Sequence, residues 1–166
     1  RLKDVLIRES KSVDYVISNF SKMKFYEVLD KIGINTHQYI EGEEEYSFFT
    51  NHHKADDFKS FIPIMHGCNN FCSYCIVPYV RGREISRTVP EILNELASLE
   101  REGVKEITLL GQNVNSYKSI WKGKHYRFSD LLLLISESIE KIRWIRFLTS
   151  HPKDFTEDII KVLTEN

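Results

Sequence analysis

Cysteine is scarce in this chain: three in 166 residues, an odd number, and all between positions 68 and 75. A disulfide framework spreads an even count along a chain, so this set excludes a cross-linked secreted scaffold. Clustered free thiols point instead to a reducing, cytoplasmic compartment and a metal or redox role. An excess of charge is lacking too, with 23 basic against 24 acidic residues and a net charge of -1. That balance excludes a global attraction to nucleic acid and leaves any RNA contact to a local patch. Long apolar runs are absent; stretches such as Leu131 to Ile135 fall far short of a membrane span, so no membrane partner is expected. No apolar segment follows Arg1-Leu2-Lys3-Asp4 as a signal peptide would require, and no low-complexity tract occurs. An initiator Met is also lacking, and the expectation is an internal piece of a longer protein.

What is present is a globular composition, 42% hydrophobic and 28% charged, enough for one domain or pieces of two. Asp4 to Ile7 reads as the end of a helix and Asp14 to Ser18 as a short buried strand. Phe25, Val28, Leu29 and Ile32 share one helical face that Gly33 ends. From about Ile34 to Lys59 the periodicity fails, through the acidic run Glu41 to Glu45 and the pair His52-His53, which reads as solvated. This is expected to be a connector, with a short strand near Tyr46 to Phe49. The domains are therefore placed at 1–56 and 57–166.

Beyond the connector the pattern becomes β/α alternation. Phe61 to Met65 is expected as a strand. Thr88-Val89-Pro90-Glu91 has the form of a capping box ahead of the stripe Ile92, Leu93, Leu96 and Leu99, with Gly103 as the stop. Glu106 to Leu110 (strand), Ser129 to Ile139 (helix), Trp144 to Leu148 (strand) and Glu157 to Leu163 (helix) follow. Consecutive strand–helix units imply a parallel sheet, whose functional groups sit on loops after the strand C-termini. The cysteine loop, Gly111 to Asn115, and Thr149 to Pro152 all fall in that position.

The cysteine spacing is Cys68-x3-Cys72-x2-Cys75. Thiolates are soft ligands suited to iron–sulfur clusters or zinc. A fully protein-ligated [4Fe–4S] cluster needs four cysteines; three leave one iron open to a small molecule such as an amino acid. The alternative is a Cys3His zinc site with His66 as fourth ligand, in a non-catalytic binding module. His66 precedes Cys68 by only two residues, which crowds one side of a tetrahedron, and the cluster is the favoured reading.

CNNFCSYC after a strand resembles the signature of the radical S-adenosylmethionine superfamily, with an aromatic, Tyr74, before the last cysteine. His66 to Arg87 (HGCNNFCSYCIVPYVRGREISR) is similar to its methylthiotransferase branch. Leu109 to Tyr117 (LLGQNVNSY) and Arg146 to Ile160 (RFLTSHPKDFTEDII) resemble the tRNA branch that makes 2-methylthio-N6-isopentenyladenosine, the MiaB family. The same chemistry on threonylcarbamoyladenosine in tRNA, or on a ribosomal protein, is the neighbouring alternative. The resemblance implies an α/β fold, a partial TIM-like parallel barrel preceded by the remnant of a smaller α/β domain. It implies a [4Fe–4S] cluster on Cys68, Cys72 and Cys75, and S-adenosylmethionine both as methyl donor and as radical source. The tRNA anticodon loop is the implied substrate, and a flavodoxin or ferredoxin the implied electron donor.

By the same resemblance Gln112 and Asn113 lie where the methionine amino group binds, and Tyr74, Arg83 and Ser150 are expected to line the cofactor. His151 is expected to be a structural histidine. Arg81, Arg83 and Arg87 form a basic loop suited to a carboxylate or to RNA phosphates. Tyr117, Trp121, Lys122, Lys124, His125, Tyr126 and Arg127 mix aromatics and cations on what reads as a second loop, suited to stacking an unpaired base or simply solvated. Family members carry a second [4Fe–4S] cluster on three cysteines of an N-terminal domain. No cysteine precedes Cys68 here, so this chain alone is expected to be inactive in sulfur insertion.

Overall fold

A computed structural model describes residues 2–17, 24–34, 46, 48 and 57–165. The chain divides into two compact units, Arg1–Ser47 and Phe48–Asn166.

In the first unit α1 spans Leu2–Glu9 and α2 spans Phe25–Lys31. Gly33 ends α2 as expected: it takes φ +86, and the Ile34 N–H returns to the Leu29 carbonyl at 2.9 Å, satisfying an otherwise free acceptor. The buried strand expected over Asp14 to Ser18 is not formed. Asp14 to Ile17 is irregular and Tyr15 is largely exposed, while Ser18 lies outside the described residues. A short apolar run becomes a strand only where a neighbour takes its ladder bonds, and none does so here among the described residues. Tyr46 and Phe48 are not in a strand either; Glu41 to Glu45, Ser47, Phe49, His52 and His53 lie outside the described residues.

The second unit is built on three parallel strands in the order β1 (Lys59–Pro63), β4 (Glu106–Leu110), β7 (Trp144–Phe147). Lys59 lies opposite Glu106, and Glu106 opposite Trp144. Ile62, Ile107 and Leu109 are fully buried and pack against α4 (Val89–Arg101), α5 (Phe128–Ser138) and α6 (Glu157–Glu165), so the three helices cover one face of the sheet. α4 starts at the expected capping box: the Glu91 carboxylate accepts the Thr88 N–H at 3.1 Å and its hydroxyl at 2.6 Å. Its buried Ile92, Leu96 and Leu99 recur at helical spacing, each contributing about 1.5–3 kcal/mol of apolar burial.

The first strand runs two residues earlier than expected. Pro63 has no N–H to extend a ladder, and the Ile64 N–H makes the last bond, to the Leu110 carbonyl at 2.9 Å. Met65–His66 then turns away as β2 and pairs antiparallel with β3 (Ile85–Ser86). The short helix α3 (Val77–Arg81) lies between them in sequence. The basic, aromatic segment after Tyr117 is not a loop. It is a hairpin of β5 (Lys118–Trp121) and β6 (Lys124–Arg127), turning at Lys122 and Gly123, both at positive φ.

Candidate metal centre

The cysteine loop leaves β2 through Gly67, whose φ of +75 and close approach to the Arg83 carbonyl leave no room for a Cβ. Its base is closed by the Cys68 N–H, which donates to the Gly82 carbonyl at 3.1 Å, and by a reciprocal clamp. In that clamp Glu84 accepts from the backbone and side-chain N–H groups of Asn69, both at 3.2 Å, and Asn69 Oδ1 accepts the Glu84 N–H at 3.3 Å. The Cys75 N–H donates to the Cys72 carbonyl at 2.9 Å, a tight turn that brings these two residues together. Cys68 is buried and the other two are half-buried; all three thiols are free. Phe71 takes φ +47 on this loop, with the Arg83 guanidinium 4.5 Å from its ring centre and Tyr79 against its edge.

Two further loops meet this one on the same rim of the sheet. After β4, Gln112 Oε1 accepts the Gly67 N–H at 2.6 Å. Asn113 is buried: its Oδ1 accepts the His151 N–H at 3.1 Å and its Nδ2 donates to Asp154 at 2.7 Å. After β7, Thr149 holds φ +66, uncommon for a β-branched residue, while its hydroxyl donates to the Gly111 carbonyl at 2.6 Å and its carbonyl accepts the Val114 N–H at 3.0 Å. Asp154 also accepts from Asn70 of the cysteine loop at 3.3 Å, and His151 Nε2 lies 3.6 Å from Cys72 Sγ. The three loops are thus joined by side-chain bonds, not merely adjacent.

The residues expected around a cofactor separate accordingly. Gln112 and Asn113 reach the rim with their amides engaged by the protein. Tyr74 is 89% exposed beside Cys75, and Ser150 and Arg83 are exposed. Arg87 does not belong to the exposed basic loop. It is 4% exposed and ion-paired with the buried Glu95 of α4, because its backbone N–H is drawn inward to the Ile64 carbonyl at 2.8 Å. Tyr117 cannot stack a base: it is 1% exposed, its hydroxyl donates to the Arg87 carbonyl at 2.7 Å, and burial pushes its pKa up to about 12. Lys118, Lys122, Lys124, His125 and Arg127 remain exposed on the hairpin, with Lys122 Nζ 4.6 Å from the Trp121 ring and Lys124 Nζ 5.0 Å from that of Tyr126.

Sequence reasoning missed Asn70, Glu84, Glu95 and Asp154. Each is a polar residue whose partner is distant in sequence or lies on another element; only Glu95, at an apolar-stripe position of α4, carried a local signal. Of the rim's outer supports, Asp158 is held below the usual carboxylate range by hydrogen bonds from Ser129 and Thr156.

The donor set fits an iron–sulfur cluster: soft thiolates on one loop, closed by backbone and side-chain bonds, with the His151 ring nitrogen Nε2 3.6 Å from one sulfur.

Residues 62–166 match the Radical SAM superfamily, and the chain belongs to it. Its members use a [4Fe–4S] cluster and S-adenosylmethionine. Within that class the chain is similar to tRNA-2-methylthio-N(6)-dimethylallyladenosine synthases. It is 45% identical to that of Treponema denticola over 179 aligned positions, covering 98% of this chain and 40% of the relative. It is 44% identical to that of Clostridium tetani over 99% of this chain and 36% of the relative. To that of Desulforamulus reducens it is 54% identical over 66% of this chain and 24% of the relative. The chain spans about two fifths of the length of its Treponema relative.

Proposed function

We propose that Cys68, Cys72 and Cys75 hold the radical-generating [4Fe–4S] cluster of a tRNA methylthiotransferase that acts on C2 of N6-isopentenyladenosine beside the anticodon. The observation that carries this reading is the convergence of the three-thiol loop with Gln112-Asn113 and Ser150-His151 on one rim, in a chain 45% identical to a protein named for that reaction. When bound, the cluster supplies the electron that cleaves S-adenosylmethionine. The chain's own residues supply position. Gln112 fixes the base of the cysteine loop, and Asn113 holds His151 and Asp154 beneath it. The half-buried Gln112 oxygen accepts one backbone N–H and keeps a second lone pair for the methionine ammonium, whereas the buried Asn113 acts by positioning His151 and Asp154. Tyr74, Arg83 and Ser150, all exposed, would line the bound ligand.

Residues 57–166 are then the first part of a radical SAM barrel. Strand order that follows the sequence, with α4, α5 and α6 on one face, supports a barrel arc over a doubly wound sheet. Residues 1–56 are the end of an N-terminal methylthiotransferase domain with its connector, a domain whose second [4Fe–4S] cluster draws its ligands from elsewhere in the protein. The compartment is cytoplasmic and the reductant a flavodoxin or ferredoxin; among the described residues no helix is long and apolar enough to cross a membrane. Nucleoside analysis of tRNA from a strain lacking the gene tests the reading. Loss of the 2-methylthio derivative with accumulation of isopentenyladenosine is expected; an unchanged isopentenyladenosine pool contradicts it.

A further inference from the structure

We infer that His151 donates its Nε2–H to the Cys72 thiolate and so sets the reduction potential of the cluster, a role that rests on the cluster assignment above. His151 Nδ1 accepts the Lys153 N–H at 3.2 Å, as the cap of the short 3-10 turn Pro152–Asp154. An imidazole that accepts at Nδ1 carries its proton on Nε2 when neutral, so the other ring nitrogen is a donor. That nitrogen lies 3.6 Å from Cys72 Sγ, within hydrogen-bond range for sulfur. The ring is not placed by chance. The His151 backbone N–H is held by Asn113 Oδ1 at 3.1 Å, and its carbonyl accepts the Asp154 N–H at 3.0 Å. Asp154 in turn accepts from Asn113 at 2.7 Å and from Asn70 of the cysteine loop at 3.3 Å.

Reduction adds negative charge to the cluster and its thiolates. An N–H donor at a ligating sulfur stabilises that charge and raises the potential. His151 is therefore a positioning residue: it acts through Cys72, and its bond joins the third strand's loop to the ligand loop.

Three variants separate this bond from the cap. His151→Phe removes both. His151→Asn keeps an acceptor for the Lys153 N–H but is too short to reach Cys72. His151→Gln places an amide N–H near the sulfur. The probe is this chain, anaerobically reconstituted with iron and sulfide; its three cysteines are the only ones, so any cluster signal comes from this loop. Redox titration followed by electron paramagnetic resonance is expected to give lower midpoint potentials for the Phe and Asn variants at unchanged iron content, with Gln close to wild type. With 15N-histidine, pulsed resonance of the reduced cluster is expected to show a nitrogen coupling that disappears in the Phe and Asn variants. Clusters that assemble with equal potentials and no coupling in any variant overturn the role of His151 alone. A wild-type chain that assembles no cluster overturns the cluster assignment and this role together.

Discussion

Gln112 Oε1 accepts the Gly67 N–H at 2.6 Å, a bond between residues 45 apart that ties the loop after β4 to the first turn of the cysteine loop. Gly67 is buried, so the bond is the one its N–H depends on. Gln112→Ala should leave that donor unpaired and cost about 1–3 kcal/mol in denaturant unfolding of the apo chain. It should also lower the iron bound per chain on reconstitution. Wild-type stability with wild-type iron content would contradict the tie.

Gly67→Ala is expected to be worse. The backbone there is left-handed and the new Cβ would overlap the Arg83 carbonyl, so β2 and β3 must separate. A soluble Gly67→Ala chain with an unchanged thermal midpoint would refute the close approach.

The Arg87–Glu95 pair is buried on both sides. Glu95→Leu strands the guanidinium and should cost about 3–5 kcal/mol, whereas Arg87→Met combined with Glu95→Leu should recover most of it. Denaturant unfolding of the single and double variants measures the difference. Equal losses in both would show that the site depends on charge and not on its compensation.

Acid should expose a second support. Glu100 accepts from the backbone N–H groups of Glu140, Lys141 and Ile142 ahead of β7. Partial burial opposes ionisation, but these donors outweigh it and hold the carboxyl below its ordinary 4.5. A depressed folded-state pKa contributes stability that is complete above the unfolded value and is lost as pH falls through the folded one. Stability of the wild-type chain should therefore decline below about pH 4.5. Glu100→Gln should be less stable at neutral pH by about 1 kcal/mol, after allowance for screening, and should decline less steeply in acid. Parallel pH profiles would contradict the assignment.

What could be read from the sequence was whatever depends on neighbours in the chain. The capping box at Thr88 and Glu91, the stripe Ile92, Leu96 and Leu99, and the stop at Gly103 are local patterns, and they formed where expected. Parallel alternation also placed the cysteine, Gly111 and Thr149 loops on one rim. Arg87 was misplaced because its charge looks like that of Arg81 and Arg83; Glu95 on the apolar stripe of α4 hints at a buried carboxylate, and only packing pairs the two. The hairpin was missed because Lys122-Gly123 lacks the usual Asn or Asp before glycine, so the turn signal was half present. The strand expected at Asp14 to Ser18 failed for the opposite reason: its residues are suitable, but no partner strand is described for them. Lys122→Asn, which suits the positive φ better, should stabilise the hairpin by about 0.5–1 kcal/mol in a thermal melt.

The most direct test of the cysteine triad's role is anaerobic reconstitution of this chain with iron and sulfide, followed by reduction and resonance spectroscopy with and without S-adenosylmethionine. A brown chain whose reduced [4Fe–4S] signal changes on adding S-adenosylmethionine, and is lost with Ser at position 68, 72 or 75, is the expected result. A colourless chain that binds stoichiometric zinc and leaves S-adenosylmethionine intact would contradict it.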